Sequence, residues 1–269
     1  MKLRNIISAI IIASSACLVS CDKMMDKAMQ AVMESASNHD YQDSEKWGKV
    51  TTIDLPVLTF NEAEIEGAVR LEYTQDNIFS LKVYGNEKAI NAYSVKFDDN
   101  ELEVILKESV DHVNRNTPAI TVRITAPTLT DIKGSGVSEV VFMNSVVQEE
   151  GMDISLGGVG KLSIGSLRVP ELDLSISGAG EANLADVTTT GKMELRVEGA
   201  AKLKGKAVAQ KLELKLMGAA SGTLDIHSRK TSVVASGTSY LTLTGETESL
   251  EMNSAESSSV KKDGLKVGH

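Results

Sequence analysis

The sequence predicts an all-β chain: a β-solenoid with rungs of about 20 residues and glycine-rich corners, preceded by an irregular strand-rich block. Three observations predict it. Between Gly134 and Val260 one pattern recurs about every 20 residues, the mark of a stacked repeat architecture. Within each copy apolar and polar residues alternate, the period of a strand with one buried face. Each copy then closes on a Gly-x-small corner.

The clearest copy reads Asp173-Leu174-Ser175-Ile176-Ser177-Gly178-Ala179-Gly180, with Leu184 closing its second apolar stretch. With the first corner residue as origin, the copies fall at Gly134, Gly158, Gly178, Gly199, Gly218, Gly237 and, weakly, Ser254, spaced by 24, 20, 21, 19, 19 and 17 residues. Four and two residues before each origin stand Ile154/Leu156, Leu174/Ile176, Leu195/Val197, Leu214/Leu216, Val233/Ala235 and Leu250/Met252, which mark the inside of the solenoid. Glycine in extended structure costs roughly 0.5 to 1 kcal/mol relative to alanine, so its recurrence needs a geometric reason. A corner with positive φ and close backbone approach supplies it. The second corner residue also stays small, as Gly136, Gly160, Gly180, Ala201 and Ala220, before giving way to Ser239 and Glu256 at a terminal, capping end.

The remaining elements follow in chain order. Residues 1–20 read as a lipoprotein signal peptide: Lys2 and Arg4 precede an apolar run from Ile6 to Val19, too short and wrongly flanked for a membrane span. It ends at Leu18-Val19-Ser20-Cys21, which has the form of a lipobox, so Cys21 is the expected acylation site and the membrane a partner through its acyl chains. Several acyl chains anchor firmly, because each buried methylene contributes about 0.8 kcal/mol. Cys17 leaves with the signal, so the mature chain has neither disulfide nor thiol chemistry. Residues 21–46 form the lipid anchor and a polar tether, with Met25, Met29, Val32 and Met33 at helical spacing. Residues 47–126 form the strand-rich block, continuous with the solenoid and starting it or capping its open edge. Its strands carry Val69/Leu71/Tyr73, Phe79/Leu81/Val83, Val95/Phe97, Leu102/Val104/Leu106 and Ile120/Val122/Ile124, with a hairpin turn at Asp98-Asp99-Asn100. Repeats occupy 127–262 and a short tail 263–269.

The run ITVRITAPTLTDIKGSG from Ile120 to Gly136, followed by the Ser-Gly-Ala-Gly copy at 177–180, resembles the bacterial putative auto-transporter adhesin, head GIN domain family. The likeness spans roughly residues 50–262. It implies a right-handed β-helix-like fold on an exported, often lipid-anchored protein of the outer membrane, with an adhesive role. The chain departs from the pattern where Ala201 and Ala220 replace the second corner glycine.

Composition narrows the function. A formal net charge of −9 and a pI near 5.1, with no basic stripe, exclude nucleic acid as a partner. Aromatics make up 4% of the chain, and the repeats hold only Phe142 and Tyr240, so no row of stacking platforms serves sugars or bases. Tyr73, Tyr84 and Tyr93 leave room for a smaller site in the earlier block. Gly157-Gly158-Val159-Gly160-Lys161 imitates a phosphate loop, but Ser155 stands where its first glycine belongs and Leu162 where its hydroxyl belongs. Ser135 sits between glycines without a nucleophile-elbow pattern. His39, His112, His227 and His269 share no ligand spacing, so no metal and no cofactor is expected. Asp98-Asp99-Asn100 lacks the spaced oxygens of a calcium loop and reads as a turn.

One column stands out. Five residues before the origins are Asp153, Asp173, Glu194 and Glu213, all of outward parity, a ladder with rungs about 4.8 Å apart. Like charges so placed repel by roughly 1 kcal/mol per pair at high dielectric. The adjacent outward column, Ser155, Ser175, Arg196 and Lys215, offers relief. The ladder reads either as solvated residues that keep a flat sheet soluble or as a patch for calcium or a cationic ligand, centred on Asp153 and Asp173. Two functions follow. One is a non-catalytic, lipid-anchored envelope module that adheres to an envelope or extracellular partner. The other is a polysaccharide lyase or hydrolase, which would need carboxylates clustered near a basic residue in one groove with aromatic subsites.

Overall fold

The computed structural model describes residues 48–107 and 119–268. The expected export signal, Cys21, the expected tether with its methionine stripe, and His39, His112 and His269 lie outside the described residues. What is described is an all-β solenoid of about seven turns.

The chain begins with β1 (Val50–Asp54), β2 (Glu62–Gln75) and β3 (Ser80–Asn86), then a short helix α1 (Glu87–Asn91). β4 (Tyr93–Asp98), β5 (Glu101–Leu106) and β6 (Ala119–Ala126) complete the block. β2 is already a solenoid rung, parallel to β5, β6 and β7 (Asp131–Phe142). The antiparallel pairs β1 with β3, β3 with β6 and β4 with β5 reverse the sheet direction at this end. The β4–β5 hairpin turns through Asp99 and Asn100, both with positive φ, as a two-residue hairpin requires. α1 buries Ala89 and Ile90 in the core. The block therefore both starts the solenoid and closes its N-terminal edge.

From β7 onward all pairings among the described residues are parallel. The strands are β8 (Val146–Val147), β9 (Met152–Leu156), β10 (Val159–Ile164), β11 (Leu167–Val169), β12 (Leu172–Gly178) and β13 (Glu181–Thr189). β14 (Lys192–Gly199), β15 (Lys202–Gly218), β16 (Ser221–Ala235), β17 (Tyr240–Ser254) and β18 (Ser259–Val267) follow. A coil has three walls, as residues 172–191 show. Wall 1 is Leu172–Ser177, wall 2 is 181–184, and wall 3 is 187–189, with a register shift between walls 2 and 3. Leu174, Leu195 and Leu214 stack directly on one another and are at most 1% exposed. Full burial of each such side chain contributes roughly 1.5 to 3 kcal/mol.

The corners set the register. Gly178 has φ +100°, and a Cβ there would lie 2.3 Å from the carbonyl oxygen of Gly158. The same approach recurs from coil to coil, while Ala179 N–H donates to Gly158 O at 2.8 Å and Ala200 N–H to Gly178 O at 2.8 Å. Several placements differ from the sequence reading. Gly134 pairs with Leu156 and faces inward on wall 1, so the first corner is Gly136, which stacks on Gly67. Gly67, with φ +113°, is a corner glycine that the repeat did not reveal. At the other end Ser254 pairs with Ala235, which places Glu256 over Gly237. With the origins at 136, 158, 178, 199, 218, 237 and 256, the extreme spacings of 24 and 17 become 22 and 19. Met252 occupies the column of Leu174 but is 40% exposed, because no described strand lies beyond it. The stretch 263–269, read as a tail, is largely strand, since β18 runs through Val267.

The second corner column also shifts in its first copy. Ser138, not Gly136, stands opposite Gly160. Ser138 and Ser239 are buried in this column with hydroxyls that have no hydrogen-bond partner. An unpaired buried hydroxyl costs about 1 to 3 kcal/mol, and Ala220 fills the corresponding position in the neighbouring coil. Ser239→Ala is therefore expected to raise stability by about 1 kcal/mol in urea unfolding. Gly178→Ala should lower it by about 3 kcal/mol, because it combines a disfavoured φ with a backbone clash. Gly165→Ala, with nothing within 4 Å of the added Cβ, should stay within about 0.5 kcal/mol of the parent.

Candidate functional site

Parallel in-register stacking brings the predicted carboxylates together. Asp153 pairs with Asp173, Asp173 with Glu194, and Glu194 with Glu213. The column is longer than four, because Asp153 also pairs with Asp131, Asp131 with Glu62, and Glu62 with Glu101. Seven successive rungs of wall 1 thus carry a carboxylate. The extension was legible once the corners were placed correctly, for Asp131 and Glu62 stand five residues before Gly136 and Gly67.

The two halves of this ladder are chemically different. Lys192 Nζ reaches Glu194 at 2.7 Å and Glu213 at 3.4 Å, and Lys215 Nζ reaches Glu194 at 2.6 Å. Arg196 also pairs with Glu194, and Lys211 bonds Glu213 at 2.6 Å. Hydrogen bonds from Lys192 and Lys215 hold the Glu194 carboxyl down to about 2, with its side chain 7% exposed. Glu213 is held low chiefly by its bond from Lys211. These two acids are committed to their own cations.

The stretch at Asp153 and Asp173 is bare. Among the described residues no cation pairs with Asp153 or Asp173, whose outward neighbours are Ser155 and Ser175. Partial desolvation against the wall pushes the Asp153 pKa up, and the like charges of Asp173 and Asp131 add to it. Lys133 lies beyond, 3.7 Å from Asp131 and 3.3 Å from Glu101. The carboxylates stand in a row instead of converging. Among the described residues no three His, Cys, Asp or Glu side chains surround a common point that could hold a metal ion.

Wall 2 handles the same stacking differently. Its outward column alternates in sign: Arg70, Glu139, Lys161, Glu181, Lys202. Arg70 meets Glu139 at 2.6 Å and Lys161 meets Glu139 at 3.3 Å, so charge cancels along the ladder. Near the N-terminal end Glu72, Lys82, Arg123 and Met143 line a shallow groove of about 360 Å³. Glu72 resembles a candidate acid there. Burial would raise its pKa, but hydrogen bonds from Arg70 at 2.8 Å and Arg123 at 2.7 Å overcome that and hold it down. It is locked as a carboxylate, the wrong state for protonating a leaving group.

The other candidates fall into structural places. Gly157 and Gly158 lie on the corner between β9 and β10, and Gly160 and Lys161 are already in β10, with no helix following. His227 faces outward on wall 3, with Glu246 at 3.4 Å and Asp225 at 3.5 Å. Phe142 is buried edge-on against Tyr73, their ring centroids 5.5 Å apart.

Fold and surface define a β-solenoid that presents charged ladders on flat walls, a class suited to binding along a face. Its sequence matches the family described as putative auto-transporter adhesin, head GIN domain, over residues 59–209 and 184–269. The chain belongs to that family. Among solved structures, a putative adhesin from Bacteroides fragilis superposes with TM-score 0.67 at 21% identity, covering 81% of this chain and 97% of its own. A putative lipid binding protein from Parabacteroides distasonis gives 0.60 at 15% identity, covering 82% and 97%. A putative adhesin from Parabacteroides merdae gives 0.56 at 16%, covering 80% and 96%. No curated protein matches the chain.

The two halves of the acidic column should titrate in opposite senses. Glu194, depressed from 4.5 to about 2, contributes stability that is fully present above pH 4.5 and lost as pH falls towards 2. Glu194→Gln is expected to cost about 3 kcal/mol at pH 7, with the difference from the parent vanishing near pH 2. Asp153 is raised, so its ionisation opposes folding once the pH exceeds its ordinary value of 3.8. Asp153→Asn should therefore raise the melting temperature at pH 7 and leave it unchanged well below pH 3.8. Calorimetric scans across that range check both.

Proposed function

We propose that this chain is a non-catalytic adhesive module of the cell envelope, held at the outer membrane by acyl chains on Cys21 and binding through wall 1. The observation that carries the reading is the bare stretch of that wall, where Asp153 and Asp173 stand beside Ser155 and Ser175 with no cation of their own. A row of carboxylates about one strand spacing apart, on a rigid sheet, suits a partner with regularly placed positive charges. Family membership supports an adhesive role and a place at the cell surface. Two similar structures are described as putative adhesins and one as a putative lipid binding protein, which agrees with a binding module. The lipobox at 18–21 supports the anchor. Glu194 and Glu213 flank the patch as structural, neutralised neighbours.

The full chain immobilised on beads should retain a lysine-rich peptide, with retention falling as salt is added. The pair Asp153→Asn with Asp173→Asn should weaken that binding at least threefold, and binding unchanged by the pair would remove wall 1 from the reading. In bacterial cells expressing the chain, incorporation of a labelled fatty acid should disappear with Cys21→Ser. The protein should release no reducing ends from acidic or neutral polysaccharides, and steady release would replace adhesion with catalysis.

A further inference from the structure

The two ends of the solenoid are unequal. The N-terminal end is closed by antiparallel strands and α1, whereas at the C-terminal end the last coil has no described strand beyond it. That end presents the outer edge of β17 over residues 248–254 on wall 1 and the whole outer edge of β18 on walls 2 and 3. The inward columns surface there. Leu250 and Val260 are only half-buried, and Met252 is 40% exposed, although Leu212, Leu241 and Leu214 in the same columns are fully buried. An edge of this kind templates further strand pairing unless something blocks it.

Charge identifies the occupant. The wall 1 edge carries Glu248 and Glu251, with Glu256 at the corner, and no basic residue lies between 248 and 258, although Lys230 of the neighbouring coil reaches Glu251 at 2.9 Å. The β18 edge carries Lys261, Lys262 and Lys266 against a single acid, Asp263. Edge lysines alone would ward off a second sheet. Here the same end supplies the matching acids, so the surface is self-complementary, the property that a two-fold symmetric contact demands.

We propose that the C-terminal end is a self-association surface on which a second copy of this chain docks end to end. A two-fold axis through the corner at 255–258 lays the acidic wall of one copy over the basic wall of its mate, and does so twice. Glu248 and Glu251 of one copy then lie along the edge that carries Lys261 and Lys262 in its mate, while the half-buried Leu250, Met252 and Val260 close the open core. The contact is independent of wall 1's bare stretch, so it stands or falls apart from the adhesive reading.

Sedimentation velocity of the full chain in density-matched detergent tests it. The parent should form dimers whose dissociation constant rises at least tenfold as salt is raised from about 50 to 500 mM. Lys261→Glu with Lys262→Glu should be monomeric, as should Glu248→Lys with Glu251→Lys, each with the parent's melting temperature to within a few degrees. An equimolar mixture of the two should dimerise again, a rescue that requires both to be folded. A parent that stays monomeric up to about 0.1 mM, where even weak specific pairs associate, would overturn the proposal. So would dimers indifferent to both charge reversals.

Discussion

The whole molecule depends on how closely one corner can sit on the next. At Gly158, Gly178, Gly199 and Gly237 the carbonyl of the preceding corner occupies the space a Cβ would need, at 2.3 to 2.5 Å. That approach lets the corner amides hydrogen-bond to the corner carbonyls at 2.8 to 2.9 Å, so the ladder continues around the bend. Because the bend is never unpaired, each wall inherits its register from the corner before it. Leucine then falls on leucine for the length of the core without any long-range contact having to choose the pairing.

In-register stacking has an electrostatic consequence. Whatever faces outward in one coil lies against the equivalent position of the next, so a recurring charged position becomes a charged column. Wall 2 avoids repulsion by alternating sign along the column. On wall 1 the sign is constant, and relief comes sideways, from Lys192, Arg196, Lys211 and Lys215 in adjacent columns. That sideways relief covers Glu194 and Glu213, and Lys133 supplies it to Asp131 and Glu101, but it does not reach the rungs between. Asp153 and Asp173 have serine where the lower rungs have arginine and lysine, which leaves an unscreened acidic stretch on a rigid face.

The core columns were legible because period-two alternation and glycine spacing are local signals, as Leu174, Ile176 and Gly178 show. Register was legible only where both corner residues were small. In the copy around Gly134 three glycine or serine residues in succession allowed two readings, and only the pairing of Gly134 with Leu156 distinguishes them. The final copy misled for a different reason: Leu250 and Met252 imitate a core pair, while the true partners of Val233 and Ala235 are Met252 and Ser254. That two-residue error also hid Asp131, and with Gly67 unrecognised it hid Glu62. The ion pairs of Glu194 were foreshadowed by Arg196 and Lys215, but Lys192 and Lys211 lie in a column that reads as ordinary solvated surface.

A solenoid is a one-dimensional stack, so its stability is close to a sum of coil and interface terms, and its ends are where the sum is cut short. The N-terminal end is finished with different architecture: antiparallel strands, a hairpin and a helix, with the Tyr93 hydroxyl accepting from Ala68 N–H at 2.9 Å beside the Gly67 corner. At the C-terminal side the last described coil is the repeat itself. Its last apolar residues thin out, from Val233 and Ala235 to Met252 and Ser254, but they do not disappear. Polar replacement inside the core begins one coil earlier, where Thr231, Ser228 and Thr247 hydrogen-bond to one another in place of a leucine stack. A hydroxyl cluster that satisfies itself tolerates water nearby better than packed leucine does, because its donors already have partners. The last coils are thus graded towards solvent, and the backbone edge beyond them keeps both its hydrogen-bonding capacity and its separated charges.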